Sequence, residues 1–336
     1  MVALLSIRNL SVHYRTDRGI TRAVDGASFD VPEGQIVGLV GESGCGKTTV
    51  ARAITGIMPK NASFAGGRIE FQGEDLLTAS PGRLKDHRWR DISFIPQSAM
   101  NSLDPVYRVG AQIREVLVRR GGIDKRKADR RAVELFEMVG LDAGRLRDYP
   151  HQFSGGMRQR AAIALALALN PRLVIADEPV TALDVIVQRQ VLDTLKTLQG
   201  RFNLSVILVT HDISVIAYAC DRVVVMYAGQ VIEAGPTAEV LAEPRHPYTM
   251  GLYNAFPDLT SSVADLASIN GSPPDLSQPL TGCRFAPRCP FVLESCRIEG
   301  ALSMTGDYGR QAACLRTAEA ESLRRRAKEP QTWLRS

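Results

Sequence analysis

Residues Gly41-Glu-Ser-Gly-Cys-Gly-Lys-Thr48 fit the pattern G-x-x-x-x-G-K-[ST], between the apolar run 36–40 and a helical pattern starting at Lys47. No other feature constrains the fold as tightly. A buried strand must run into a tight turn and then a helix, so that glycine amides converge on phosphate oxygens at a helix N-terminus. Lys47 is placed to reach the β- and γ-phosphates of a nucleotide and the Thr48 hydroxyl to ligate Mg²⁺. The candidate nucleotide contacts are therefore Gly41, Glu42, Ser43, Gly44, Cys45, Gly46, Lys47, Thr48 and Thr49. Cys45 lies where the motif leaves the side chain free, and sensitivity to thiol reagents is its expected consequence.

The rest of the chain agrees with this start. Continuous apolar runs at 173–176, 206–209 and 223–226 are bounded by Gly, Pro, Asp or His, as in strands of a parallel sheet buried on both faces. Helical patterns lie at 47–57, 157–169 and 187–198. Residues 4–14 and 23–31 alternate like antiparallel strands about a turn at 17–19. The stretch 98–171 is mostly helical and includes a nine-residue apolar run, 161–169. The expected fold is α/β: a P-loop NTPase core with a mostly parallel sheet, an N-terminal antiparallel β subdomain, an inserted helical subdomain at about 98–171, and a small irregular cysteine-bearing extension.

At 336 residues, with 45% hydrophobic and 23% charged, the chain is neither disordered nor fibrous. No run of 18 apolar residues occurs, and the N-terminus does not read as a signal peptide; a cytosolic protein is expected unless something carries it to a membrane. Net charge is +5, and residues 114–131, with eight Lys or Arg against three Asp or Glu, hold an equal excess. That segment reads as a solvated helix face, or as a surface for anionic lipid. The overall charge gives no case for nucleic-acid binding.

Two further motifs carry chemistry. The run 173–176 ends in Asp177 and Glu178; a strand-end Asp beside a phosphate loop suits Mg²⁺, and its neighbour, on the other face, suits a general base for water. Ser154, Gly155 and Gly156 open a helix, a second anion site in a chain with one phosphate loop.

Phe-Ser-Gly-Gly-Met, about 20 residues before Asp177, resembles the signature motif of ATP-binding cassette proteins, departing from the commoner Leu-Ser-Gly-Gly-Gln at Phe153 and Met157. Gln97 matches that family's glutamine loop, which touches Mg²⁺ and senses the membrane partner. Thr181-Ala-Leu-Asp184 resembles the loop that crosses the dimer interface. His211 matches the switch histidine at the γ-phosphate, and Tyr14 falls where the family stacks an aromatic on adenine. The match covers residues 1–240.

Met100-Asn-Ser-Leu-Asp-Pro105 and His246-Pro-Tyr-Thr249 resemble the importer ATPases for oligopeptides, dipeptides and nickel, as does Gly282-Cys-Arg-Phe-Ala-Pro-Arg-Cys-Pro290. Nine of the 18 prolines lie between Pro236 and Pro290, so 244–281 is expected as an irregular linker between a cassette (1–243) and an extension (282–336), with a polar helix at 315–326. Cys283, Cys289, Cys296 and Cys314 are separated by five, six and seventeen residues. Four thiolates hold zinc or an iron–sulfur cluster; the spacing lacks the close pairs usual for zinc, and some members of the resembled family carry a [4Fe–4S] centre. Unliganded thiols stay open. Such a cluster is expected as a structural staple for a segment too poor in apolar residues to build a core.

The resemblance implies ATP between Tyr14 and the loop of one subunit and Ser154–Gly156 of a facing one. Glu178 orients water, while His211, Lys47 and Mg²⁺ stabilise the γ-phosphate. It also implies two transmembrane permease subunits, a second ATPase that is a copy or a homologue, an external solute-binding protein acting indirectly, and a place at the cytoplasmic face of the cell membrane. The alternatives are a soluble cassette acting on DNA or ribosomes and, more remotely, a P-loop kinase or GTPase.

Overall fold

A computed structural model of the chain describes residues 3–17, 19–97, 102–254, 269–298, 302–307 and 309–334. Ser98, Met100 and Asn101, and with them the start of the expected helical subdomain, lie outside the described residues, as does 255–268 of the expected linker.

The strands are β1 (Ala3–Thr16), β2 (Gly19–Pro32), β3 (Ile36–Val40), β4 (Ala62–Phe71), β5 (Glu74–Asp75), β6 (Ile92–Ile95), β7 (Leu173–Asp177), β8 (Ser205–Thr210), β9 (Arg222–Tyr227), β10 (Gln230–Pro236), β11 (Thr305–Asp307) and β12 (Arg310–Ala312). The helices are α1 (Lys47–Thr55), α2 (Pro81–Arg90), α3 (Val109–Arg119), α4 (Lys125–Met138), α5 (Gly155–Ala166), α6 (Val185–Phe202), α7 (Ile213–Ala219), α8 (Thr237–Ala242), α9 (Pro247–Asn254), α10 (Ala320–Ala327) and α11 (Pro330–Leu334).

The larger sheet has the order β11-β12-β10-β9-β3-β8-β7-β6. Its β9-β3-β8-β7-β6 part is parallel, and β10, β12 and β11 add antiparallel pairs at one edge. The smaller sheet, β2-β1-β4-β5, is antiparallel. The apolar runs are continuous because both faces of the parallel strands are covered. In β8, Val206 and Leu208 join a core shared with the helical layer, whereas Ile207 and Val209 join a core shared with the smaller sheet and α1.

Helices start where the chain supplies caps. Asp124 and Asp184 accept from amides of α4 and α6, and Asn203 in a left-handed conformation closes α6. The three carboxylates of the basic stretch pair with its cations: Arg114 with Asp129 (2.6 Å), Arg119 with Glu115 (2.9 Å) and Lys127 with Asp124 (3.9 Å).

The proline-rich region differs from expectation. Residues 247–254, expected within an irregular linker, form α9, with Pro247 through Leu252 buried. Proline at a first helical position is preorganised and surrenders no hydrogen bond, so its abundance did not exclude a short helix. The cysteine-bearing segment also has a core, borrowed from the cassette: Phe285, Phe291, Leu323 and Trp333 belong to the same buried cluster as β8 and α5. The expected helix at 315–326 begins later, a 3₁₀ turn at Thr317–Glu319 leading into α10.

Candidate active site

β3 delivers the chain into the loop between two close backbone approaches. A Cβ on Gly41 would lie 2.1 Å from the Met226 carbonyl oxygen, and one on Gly46, at φ 106°, would lie 2.4 Å from that of Ala23. Only glycine fits at either place. Lys47 opens α1 and is buried, its Nζ donating to the carbonyls of Gly41 (2.7 Å) and Glu42 (2.9 Å). The ammonium is thus held inside the curl of the loop. Tyr14, on β1, meets the other side of the same helix start, its hydroxyl 3.2 Å from Thr49 Oγ1.

Thr48 Oγ1 donates to Asp177 Oδ1 (3.2 Å) at the carboxyl end of β7. Burial pushes the Asp177 carboxyl up, against the hydrogen bond from Thr48. A hydroxyl and a carboxylate already convergent fit Mg²⁺, whose ligands are hard oxygens.

Glu178 turns away from Asp177 in a left-handed backbone conformation, φ 48°. Its Oε2 accepts from Gln97 Nε2 (2.9 Å) and Thr181 Oγ1 (3.0 Å), and its Oε1 lies 3.1 Å from His211 Nδ1. Partial burial raises this carboxyl, but the hydrogen bonds from His211, Thr181 and Gln97 outweigh it and hold the pKa below the usual value. The group is ionised at neutral pH and able to take a proton. Thr181, expected only as part of an interface loop, is thus also a partner of Glu178.

Ser154 and Asp184 serve their own helices here. Ser154 Oγ accepts from the Met157 amide (3.3 Å) and Asp184 Oδ1 from the Val187 amide (2.9 Å). Among the described residues, no hydrogen bond ties Ser154, Gly155 or Gly156 to the phosphate loop. Cys45 is 4% exposed and burial raises its thiol pKa, in spite of Lys47 Nζ 3.6 Å away. A buried, protonated thiol reacts slowly, so the expected reagent sensitivity is not what this environment favours.

The four clustered cysteines line one enclosed, apolar pocket with His246, Phe285 and Phe291. Burial, then mutual repulsion, pushes Cys289 up to about 12 and Cys314 up to about 11. The Arg316 amide donates to Cys314 Sγ (3.4 Å). Among the described residues, no group of three or more His, Cys, Asp or Glu side chains is arranged to hold a single metal ion.

Sequence reasoning missed a set of residues that reach the loop from far along the chain: Asp25, Tyr248, Arg284 and Arg288. The only signal was that Tyr248, Arg284 and Arg288 lie inside the two family-like motifs.

A glycine loop gripping a lysine, a hydroxyl–carboxylate pair and an ionised glutamate at the strand ends define a phosphate-loop ATPase. The ABC transporter family matches residues 24–181, and the oligopeptide/dipeptide transporter C-terminal region matches residues 232–296. The probable peptide ABC transporter ATP-binding protein y4tR of Sinorhizobium fredii is 42% identical over 324 residues, covering 95% of this chain and 97% of its own. The dipeptide transport ATP-binding protein DppD of Bacillus subtilis is 45% identical over 299 residues, 88% of this chain and 89% of its own. Among solved structures, the ATP-binding cassette MJ0796, a dimer in a post-hydrolysis state bound to ADP and Pi, is similar at a TM-score of 0.62 and 27% identity, over 69% of this chain and 98% of that one. CbiO1 of Clostridium perfringens gives 0.63 and 26%, over 72% and 92%. This chain belongs to the ABC transporter ATP-binding family, in its oligopeptide/dipeptide branch, and is an ATPase.

Proposed function

We propose that the chain is the ATP-hydrolysing subunit of a peptide importer, with oligopeptides or dipeptides as cargo ahead of nickel and other small solutes. One observation carries the hydrolytic part: Gln97, Thr181 and His211 converge on the Glu178 carboxylate beside the Thr48–Asp177 pair. The cargo class is supported by the C-terminal region match and by relatives named for peptide and dipeptide transport. Those names give no support to a cassette working on DNA or ribosomes.

In this reading residues 1–243 are the cassette and 282–336 the extension. ATP sits between Tyr14 and the loop 41–49, and Ser154–Gly156 of a second ATPase subunit, copy or homologue, cover the γ-phosphate; Asp184 lies at that interface. Glu178 takes a proton from water as its oxygen attacks the γ-phosphorus, the bond to the β–γ bridging oxygen breaks, and ADP leaves. Lys47 and His211 stabilise the charge on the transferring group. Mg²⁺, when bound, neutralises the phosphate oxygens, with Thr48, Asp177 and Gln97 to hold it. Among the described residues no helix is long and apolar enough to cross a membrane. In this reading attachment to the cytoplasmic face runs through two permease subunits, which with an external solute-binding protein select the cargo; relatives named as transport ATP-binding proteins support it.

Cys283, Cys289, Cys296 and Cys314 hold a [4Fe–4S] cluster in this reading. What supports the reading is that all four cysteines line one pocket and that the Arg316 amide donates to Cys314 Sγ. The cluster supplies cross-linking of the segment. Anaerobically purified protein should contain about four irons per chain and absorb broadly near 400 nm; one zinc and no colour would reject the cluster.

The test of the ATPase mechanism is Glu178→Gln. It should bind MgATP as wild type does and lose turnover by about 100-fold or more. Hydrolysis at the wild-type rate would remove Glu178 from the role of base.

A further inference from the structure

The cysteine-bearing segment reaches into the nucleotide site. Arg288, next to Cys289, is almost wholly buried, and its Nη1 donates to Glu42 Oε2 (2.8 Å) and to the Tyr227 hydroxyl (3.2 Å). Its Nε and Nη2 donate to the carbonyls of Asn270 (2.9 Å) and Ile269 (3.3 Å), so the guanidinium has one fixed orientation. Glu42 is gripped a second time, its amide donating to the Tyr248 hydroxyl (2.9 Å). Tyr227, Tyr248 and Phe285 pack together, with ring centroids 4.7 to 5.4 Å apart.

Arg284 acts on the loop from below. It donates to the Ala228 carbonyl and pairs with Asp25. Asp25 in turn donates its amide to the Gly229 carbonyl (2.9 Å), and Gly229 donates its own to the Cys45 carbonyl (3.0 Å). Two arginines flanked by cysteines thus hold both ends of the loop's 42–45 turn.

We propose that Arg288 is a positioning residue for ATP: it neutralises the Glu42 carboxylate inside the phosphate loop and, with Tyr248, holds Glu42 in place. The proposal rests on the ATP reading above. Glu42 puts a negative charge into a loop built to receive phosphates. Paired with a buried guanidinium, that charge is offset; unpaired, it repels the ligand at short range in a poorly screened site.

The experiment titrates a fluorescent ATP analogue with Mg²⁺ into the full chain. Arg288→Met should weaken binding about 10-fold, and adding Glu42→Gln to that variant should restore affinity to within about threefold of wild type. Arg288→Lys, which keeps the charge and loses the fork, should fall between the two. Wild-type affinity in a folded Arg288→Met protein would overturn the proposal. So would a loss that Glu42→Gln fails to recover, because the arginine would then act on packing alone. Should Arg288→Met not fold, Tyr248→Phe keeps the ring and removes the hydroxyl; it should weaken binding about threefold, and unchanged affinity there also overturns the proposal. Failure of wild type itself to bind, or equal binding by Lys47→Ala, would instead reject the ATP reading.

Discussion

The phosphate loop and the cysteine pocket, proposed above as a nucleotide site and a cluster site, are prepared in opposite ways. The loop is ready in advance: its glycines fit tight gaps under Met226 and Ala23, and Lys47 is held by two carbonyls of the loop itself. Its ammonium has partners before any phosphate arrives. The pocket offers four thiols between aromatic walls, and burial pushes up the pKa of Cys283, Cys289 and Cys314. Backbone amides such as that of Arg316 offset the burial only in part, so these thiols stay neutral without a positive partner. A loop held by its own backbone is charged in advance, whereas buried thiols are not.

The largest effect that tests this contrast belongs to the pocket's wall. Phe285 is 1% exposed and packs against Tyr227, Tyr248 and His246. Phe285→Ala should cost about 3–5 kcal/mol in denaturant unfolding; a loss under 1 kcal/mol would show that the extension is not part of the cassette core. Next, Lys47→Ala should weaken nucleotide binding about 100-fold, leaving the iron content of the proposed cluster unchanged. Iron loss in parallel would mean that the two regions are one cooperative site.

A smaller effect concerns acidity. Glu233 is fully buried and its carboxyl is pushed up to about 7 by desolvation, although the amides of Arg245 and His246 donate to it. A carboxyl whose pKa rises on folding contributes stability below its unfolded value, near 4.5, and that contribution is lost as pH climbs through about 7. Neighbouring His246, lowered to about 3 by burial, has the opposite slope below its unfolded value of 6.5. Comparing wild type with Glu233→Gln isolates the carboxyl. Unfolding free energy should fall by about 2 kcal/mol between pH 5 and 7 in wild type relative to the variant; parallel profiles would assign Glu233 an ordinary pKa. The smallest change is Tyr14→Phe, which keeps the ring and removes the hydroxyl near Thr49. Nucleotide affinity should drop no more than about threefold, and a larger loss would mean that the hydroxyl, not the ring, is the contact.

The same contrast explains what the sequence made legible. β3, β7, β8 and β9 were readable because strands covered on both faces leave unbroken apolar runs. The loop was readable because its chemistry is packed into eight consecutive residues. Thr181 was placed in a motif, yet its bond to Glu178 depends on a turn that no pattern specifies. Arg288 and Glu42 stand 246 positions apart, and nothing near either one announces the other. The extension's core was invisible for a related reason: Phe285, Phe291 and Trp333 look sparse in their own segment and become a core only against residues of the cassette.

The brace beneath the loop also bears on how such a chain can be recombined. Arg284 and Arg288 find their partners at Asp25, Glu42 and Tyr227, far earlier in the chain. An extension grafted onto a cassette lacking those three residues would bring two buried cations with nothing to meet them. A cassette stripped of its extension would keep a bare carboxylate in its phosphate loop. Chimeras that exchange one of the two segments are therefore expected to need Asp25, Glu42 and Tyr227 carried along.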